Sequence, residues 1–91
     1  MANDKASEFD EETLRALADE GNETAQDRLA DLYNANDNLE KLSELLDEGN
    51  EHAGHLLTVR AVKNKDLREL QRLSDAGSEE AGSELERLLK G

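Results

Sequence analysis

Residues 14–29 read LRALADEGNETAQDRL, and the chain restates them twice, as LSELLDEGNEHAGHLL at 42–57 and LQRLSDAGSEEAGSEL at 70–85. Gly21, Gly49 and Gly77 stand 28 residues apart. The same step aligns Leu14 with Leu42 and Leu70, Leu17 with Leu45 and Leu73, and Asp19 with Asp47 and Asp75. It also aligns Glu23 with Glu51 and Glu79, Ala25 with Ala53 and Ala81, and Leu29 with Leu57 and Leu85. Seven columns are thus identical in every copy without a gap. Self-similarity at a fixed period of this size marks a repeat architecture. Three units follow, 10–37, 38–65 and 66–91, forming a single domain over 10–91 behind a polar tail at 1–9.

Each unit reads as two helices. Leu42, Leu45 and Leu46 follow the i, i+3, i+4 spacing of an amphipathic stripe. The glycine after them supplies a left-handed residue that ends the first helix. Asn22, Asn50 or Ser78 then caps the second helix, and the glutamate after it sits at the positive helix end. Ala25, Leu29, Leu32 and Tyr33 form the buried stripe of that second helix, with the alanine column where the two helices approach most closely. Asn36 and Asn64 are the expected left-handed residues at its end, and Asn38 and Asp66 the next caps. Asp10 caps the first unit, with Phe9 and Leu14 spaced as a hydrophobic staple. The expected fold is all-α: three stacked antiparallel helix–turn–helix repeats, six helices of about 10–13 residues, joined by short turns and stabilised by packing between units. Glu11, standing where later units have Leu39 and Leu67, is expected to mark a polar outer end. So are Glu84 and Arg87, standing where the middle unit has Leu56 and Val59.

The pattern carried by Leu14, Leu17, Asp19, Gly21, Ala25 and Leu29 resembles the short α-helical hairpin repeats of the tetratricopeptide-like superfamily. It is most similar to bacterial, actinobacterial-type repeats of the form LxxLADxGxxxAxxxLAxLL, over about residues 10–91. The period is 28 rather than 34, and the Trp, Gly-Tyr and Pro positions of the standard tetratricopeptide pattern are missing. The resemblance implies a binding scaffold, and a natural or a designed array would read alike.

Composition narrows the function. The 91 residues include 23 acids and 11 bases, a net charge of −12, which argues against direct binding of nucleic acid through phosphates. The charge is uneven: −7 on 10–37, −1 on 38–65 and −3 on 66–91. Cysteine is absent, which excludes disulfides and thiolate metal sites. The polar first nine residues lack a signal-peptide core, and no stretch approaches the roughly 20 apolar residues of a membrane span. A soluble, cytoplasmic protein with no membrane partner is the expectation.

Catalytic and metal chemistry find little footing. His52 and His55 lie i, i+3 beside Glu48 and Glu51, a spacing that could present ligands, but neither column repeats the histidine. Ser43, His52 and Asp47 make a triad only on paper, without a nucleophile elbow. The Asp19, Asp47 and Asp75 column is read as hydrogen bonding to the adjacent turn. The expectation is a non-enzyme without metal or cofactor. The middle unit is the most apolar, adding Leu56, Val59 and Val62 as a second stripe rimmed by Arg60 and Lys63. This is either packing for a helix with neighbours on both sides or a face for a protein partner or for self-association. Three functional readings follow: a protein-interaction or scaffolding module, an acidic nucleic-acid mimic that inhibits a basic nucleic-acid-binding protein, and a fragment of a longer repeat array.

Overall fold

The computed structural model describes residues 10–91, which form six helices and no strand. They are α1 (Glu11–Asp19), α2 (Glu23–Ala35), α3 (Leu39–Asp47), α4 (Glu51–Lys63), α5 (Leu67–Asp75) and α6 (Glu79–Lys90). The tail at 1–9, and with it the Phe9–Leu14 staple, lies outside the described residues. A nine-residue helix, a three-residue turn, a thirteen-residue helix and another three-residue turn make the 28-residue period.

All five turns share one plan. The third residue of each serves twice: its amide closes the preceding helix and its side chain opens the next. Asn22 N–H donates to the Leu17 carbonyl at 3.1 Å, and Asn22 Oδ1 accepts from the Ala25 amide at 2.9 Å. Asn38, Asn50, Asp66 and Ser78 repeat the arrangement, and Asp10 caps α1. The Thr13 amide holds the Asp10 carboxyl below its ordinary range. The residue before each cap is left-handed, with φ of 92°, 100° and 114° at Gly21, Gly49 and Gly77. Between units that position falls on Asp37 and Lys65, with φ of 57° and 52°, and not on Asn36 and Asn64 as expected. The two asparagines end their helices with ordinary negative φ. The six-to-one bond from the cap amide, Asn38 to Tyr33, fixes the left-handed residue one place later.

The second helices α2, α4 and α6 form a continuous layer, each packed on the next, while α1, α3 and α5 never approach one another within 8 Å between Cα atoms. Instead α3 lies over α2 and α5 over α4, the second helix of the preceding unit in each case. The result is two three-helix triangles, α2–α3–α4 and α4–α5–α6, sharing α4, with α1 attached through α2 alone. One apolar core runs through the stack, with Leu29, Leu42, Leu45, Leu70 and Leu73 almost completely enclosed. The alanine column is buried in all three copies. Side-chain volume is shared across each hairpin: Gly54 faces the large Leu46, and Gly82 faces Ser74, while Gln26 reaches over Ala18 to its carbonyl.

One expectation about the ends is corrected. Leu39 and Leu67 are 41% and 40% exposed, so Glu11 is not a polar substitute for a buried leucine. Glu84 and Arg87 pair with each other at 2.8 Å along α6, and Glu84 is half-buried.

Candidate functional site

The outward columns of the α2–α4–α6 layer differ from the columns that build it. Asp27, His55 and Ser83 share one repeat position, and Asp31, Val59 and Arg87 another; every one is exposed and no two in a column agree. The invariant alanine column is buried, and these two variable columns face water. The layer therefore presents a surface whose chemistry changes from unit to unit: carboxylates on α2, imidazole and valine on α4, serine and guanidinium on α6.

Within that surface the five residues of the expected partner face part company. Leu56 and Val62 are half-buried and packed against the core, because α4 alone touches four other helices. Val59 remains 49% exposed, and Lys63 is exposed. Arg60 turns toward the end of α2, where it donates to Asn34 Oδ1 at 2.9 Å and pairs with Asp37. Two of the five thus belong to the core and one ties units together, and Val59 with Lys63 is what faces solvent.

The two histidines also join units. His52 Nε2 lies 2.7 Å from Asp31 Oδ1 on α2, and His55 Nδ1 lies 2.9 Å from Glu80 Oε1 on α6. They point to opposite neighbours, and among the described residues no group of three or more His, Cys, Asp or Glu side chains could hold a metal ion. Ser43 accepts from Arg72 at 3.0 Å, so Ser43, His52 and Asp47 are not assembled. Nor does the aspartate column bond to its turns: Asp19 pairs with Arg15 at 3.7 Å and Asp75 accepts from Gln71 at 3.0 Å, each one helical turn back.

Beneath the surface each cap inside the stack reaches the second helix of the unit before it, at a different position in each case. Asn50, capping α4, donates from Nδ2 to Asp27 on α2 at 2.9 Å, and is 6% exposed. Ser78, capping α6, lies 3.4 Å from the buried Thr58 hydroxyl on α4, which itself donates to the Gly54 carbonyl. Beside each join runs a groove. The larger, about 690 Å³, is lined by Gly54, His55, Ser78, Glu79 and Glu80, and the smaller, about 380 Å³, by Gln26, Asp27, Asn50, Glu51 and His52. Their rims are carboxylate-rich, which suits basic or hydrogen-bond-donating side chains.

No protein-family model, curated protein or solved structure matches the chain. Among the described residues no helix is long and apolar enough to cross a membrane. Sequence reasoning missed the bonds between units (His52–Asp31, His55–Glu80, Asn50–Asp27 and Arg15–Glu48), which span 21 to 33 residues. Their signal was faint: Asp31, His52, His55, Glu80, Asp27 and Arg15 are polar residues in columns where no other unit has the same residue.

Proposed function

We propose that this chain is a cytoplasmic, non-enzymatic α-helical repeat module of the tetratricopeptide-like kind, which binds a protein partner on the solvent face of its α2–α4–α6 layer. The observation that carries this reading is the division of labour between columns. The invariant glycine and alanine columns build turns and core, while two columns that differ in every unit, Asp27/His55/Ser83 and Asp31/Val59/Arg87, are exposed along successive second helices. Such a surface is rigid, extended and chemically varied, as recognition by a repeat stack requires. Val59, exposed at the centre of the layer, is its apolar anchor, with Lys63, Asp27, Asp31 and Arg87 supplying polar contacts around it. The net charge of −12 supports protein rather than nucleic acid as the direct partner.

A photo-crosslinking residue placed at Val59, and separately at Glu12 on α1, tests this in cells of the source organism. The expected result is a discrete adduct from position 59 alone, lost when Asp31→Lys and Lys63→Glu are added in a chain of unchanged helicity. Identical adducts from both positions, or adducts indifferent to those charge reversals, would overturn it.

A further inference from the structure

Equivalent columns record what each unit covers on its neighbours. The face that a unit offers to its successor includes Ala30 and Thr58, 0% and 1% exposed, and Tyr33 and Ala61, 2% and 3%. In the last unit the same positions are Glu86, which is exposed, and Leu89, which is 62% exposed. The face offered to a predecessor includes Leu45 and Leu73, 1% and 0% exposed, and the caps Asn50 and Ser78, also buried. In the first unit these positions are Leu17, 40% exposed, and Asn22, exposed. The described chain thus carries one open half of its own internal joint at each end. Two such joints are already closed inside it.

We infer that the chain stacks head-to-tail on copies of itself, the α5–α6 face around Leu89 receiving the α1–α2 face around Leu17 of a second copy. The occupant follows from continuity with the joints seen between units. In those joints the cap column of one unit meets the second helix of the unit before it, as Ser78 meets Thr58. A second copy in that register brings Asn22 to Glu86. Asn22 Oδ1 is already used by the Ala25 amide, leaving its Nδ2 to donate. Glu86 supplies an exposed carboxylate to accept. Leu17 and Leu89 supply apolar surface to the same contact, as their column-mates do within the chain. A joint of this kind is heterologous, so it repeats without closing and gives open chains of copies. We expect the association to be weak and concentration-dependent. Because each copy carries −12, association strengthens as salt screens the long-range repulsion.

The test is absolute mass by light scattering over a concentration series, at about 0.1 M and about 1 M salt, on the full chain, Leu17→Glu, Leu89→Glu and Glu86→Lys. The wild-type mass is expected to climb from 10.1 kDa past that of a dimer, and further at the higher salt. Each leucine variant alone should stay monomeric, its association constant down at least about tenfold, with helicity by circular dichroism unchanged because both side chains are exposed. Mixed in equal amounts the two variants should reach twice the monomer mass and stop, since one keeps only the front face and the other only the back. Glu86→Lys, which leaves both leucines in place, should weaken association about threefold. A wild-type chain that is monomeric throughout would overturn the inference, whether the tail at 1–9 covers α1 or the faces do not fit. So would Leu17→Glu associating as the wild type does, the mark of back-to-back pairing, or a mixture that remains monomeric.

Discussion

The middle and last units share a sequence plan and differ in what it encloses. Leu57 in α4 is 2% exposed, whereas Leu85, at the same position in α6, is only half-buried; Ala61 is 3% exposed and Leu89 is 62%. Both helices are capped by a side chain three residues before the capped amide and follow a left-handed glycine. The difference is that α4 belongs to two triangles and α6 to one. In a stack of this kind a side chain's contribution to stability is set by its place in the row as much as by its identity, and stability is a sum of unit and joint terms.

Replacing equivalent residues in different units tests that directly. Leu57→Ala is expected to cost about 2–5 kcal/mol, and Leu85→Ala less than half as much, measured by urea unfolding with unchanged slope. Equal costs would break the comparison. Tyr33 and Leu89 share a position, and burial together with a 3.0 Å bond from its hydroxyl to Glu11 pushes the Tyr33 pKa up to about 12. A folded pKa above the ordinary value near 10 favours the neutral form. The contribution is therefore complete below about pH 10 and lost as pH rises through about 12. Tyrosinate absorbance should appear near pH 12 in the folded chain, and near pH 10 in denaturant; an onset near 10 in both would place Tyr33 in water. Among the caps, Asn50→Ala should cost about 1–2 kcal/mol, since it removes both the Ala53 cap and the bond to Asp27, while Asn22→Ala costs roughly half that. Gly82→Ala should stabilise by about 0.5–1 kcal/mol through helix propensity, because the new Cβ meets only the rotatable Ser74 hydroxyl. Gly54→Ala should gain nothing, because its Cβ would come within 3.0 Å of the Leu46 side chain, enclosed in the core.

The comparison also separates what the sequence disclosed from what it withheld. Helices, caps and glycine turns are local, and the 28-residue period displayed each three times over. Asn22, Asn50 and Ser78 could be read as caps because capping needs only the three residues that follow. The left-handed residues between units were misplaced by one, since Asp37 and Lys65 lack the glycine that marks the other turns. The candidate site was harder to read. Leu56, Val59 and Val62 make one stripe by spacing, but which of them meets a neighbour depends on how α4 is wedged among four helices, a property of the stack. Arg60 looked like the rim of a groove and proved to be a strap to Asn34 and Asp37. For the same reason Leu17 looked identical to Leu45 and Leu73, whose burial comes from a predecessor that Leu17 lacks among the described residues.

The single attachment of α1 sets an order of opening. Every other first helix is gripped by two second helices, and α1 by one. Its amide protons should therefore exchange with solvent through a partial opening that leaves α2 to α6 intact, whereas those of α4 should wait for the whole chain to unfold. Hydrogen exchange followed by NMR would resolve the two classes. A common rate for α1 and α4 would mean that the chain opens as one piece.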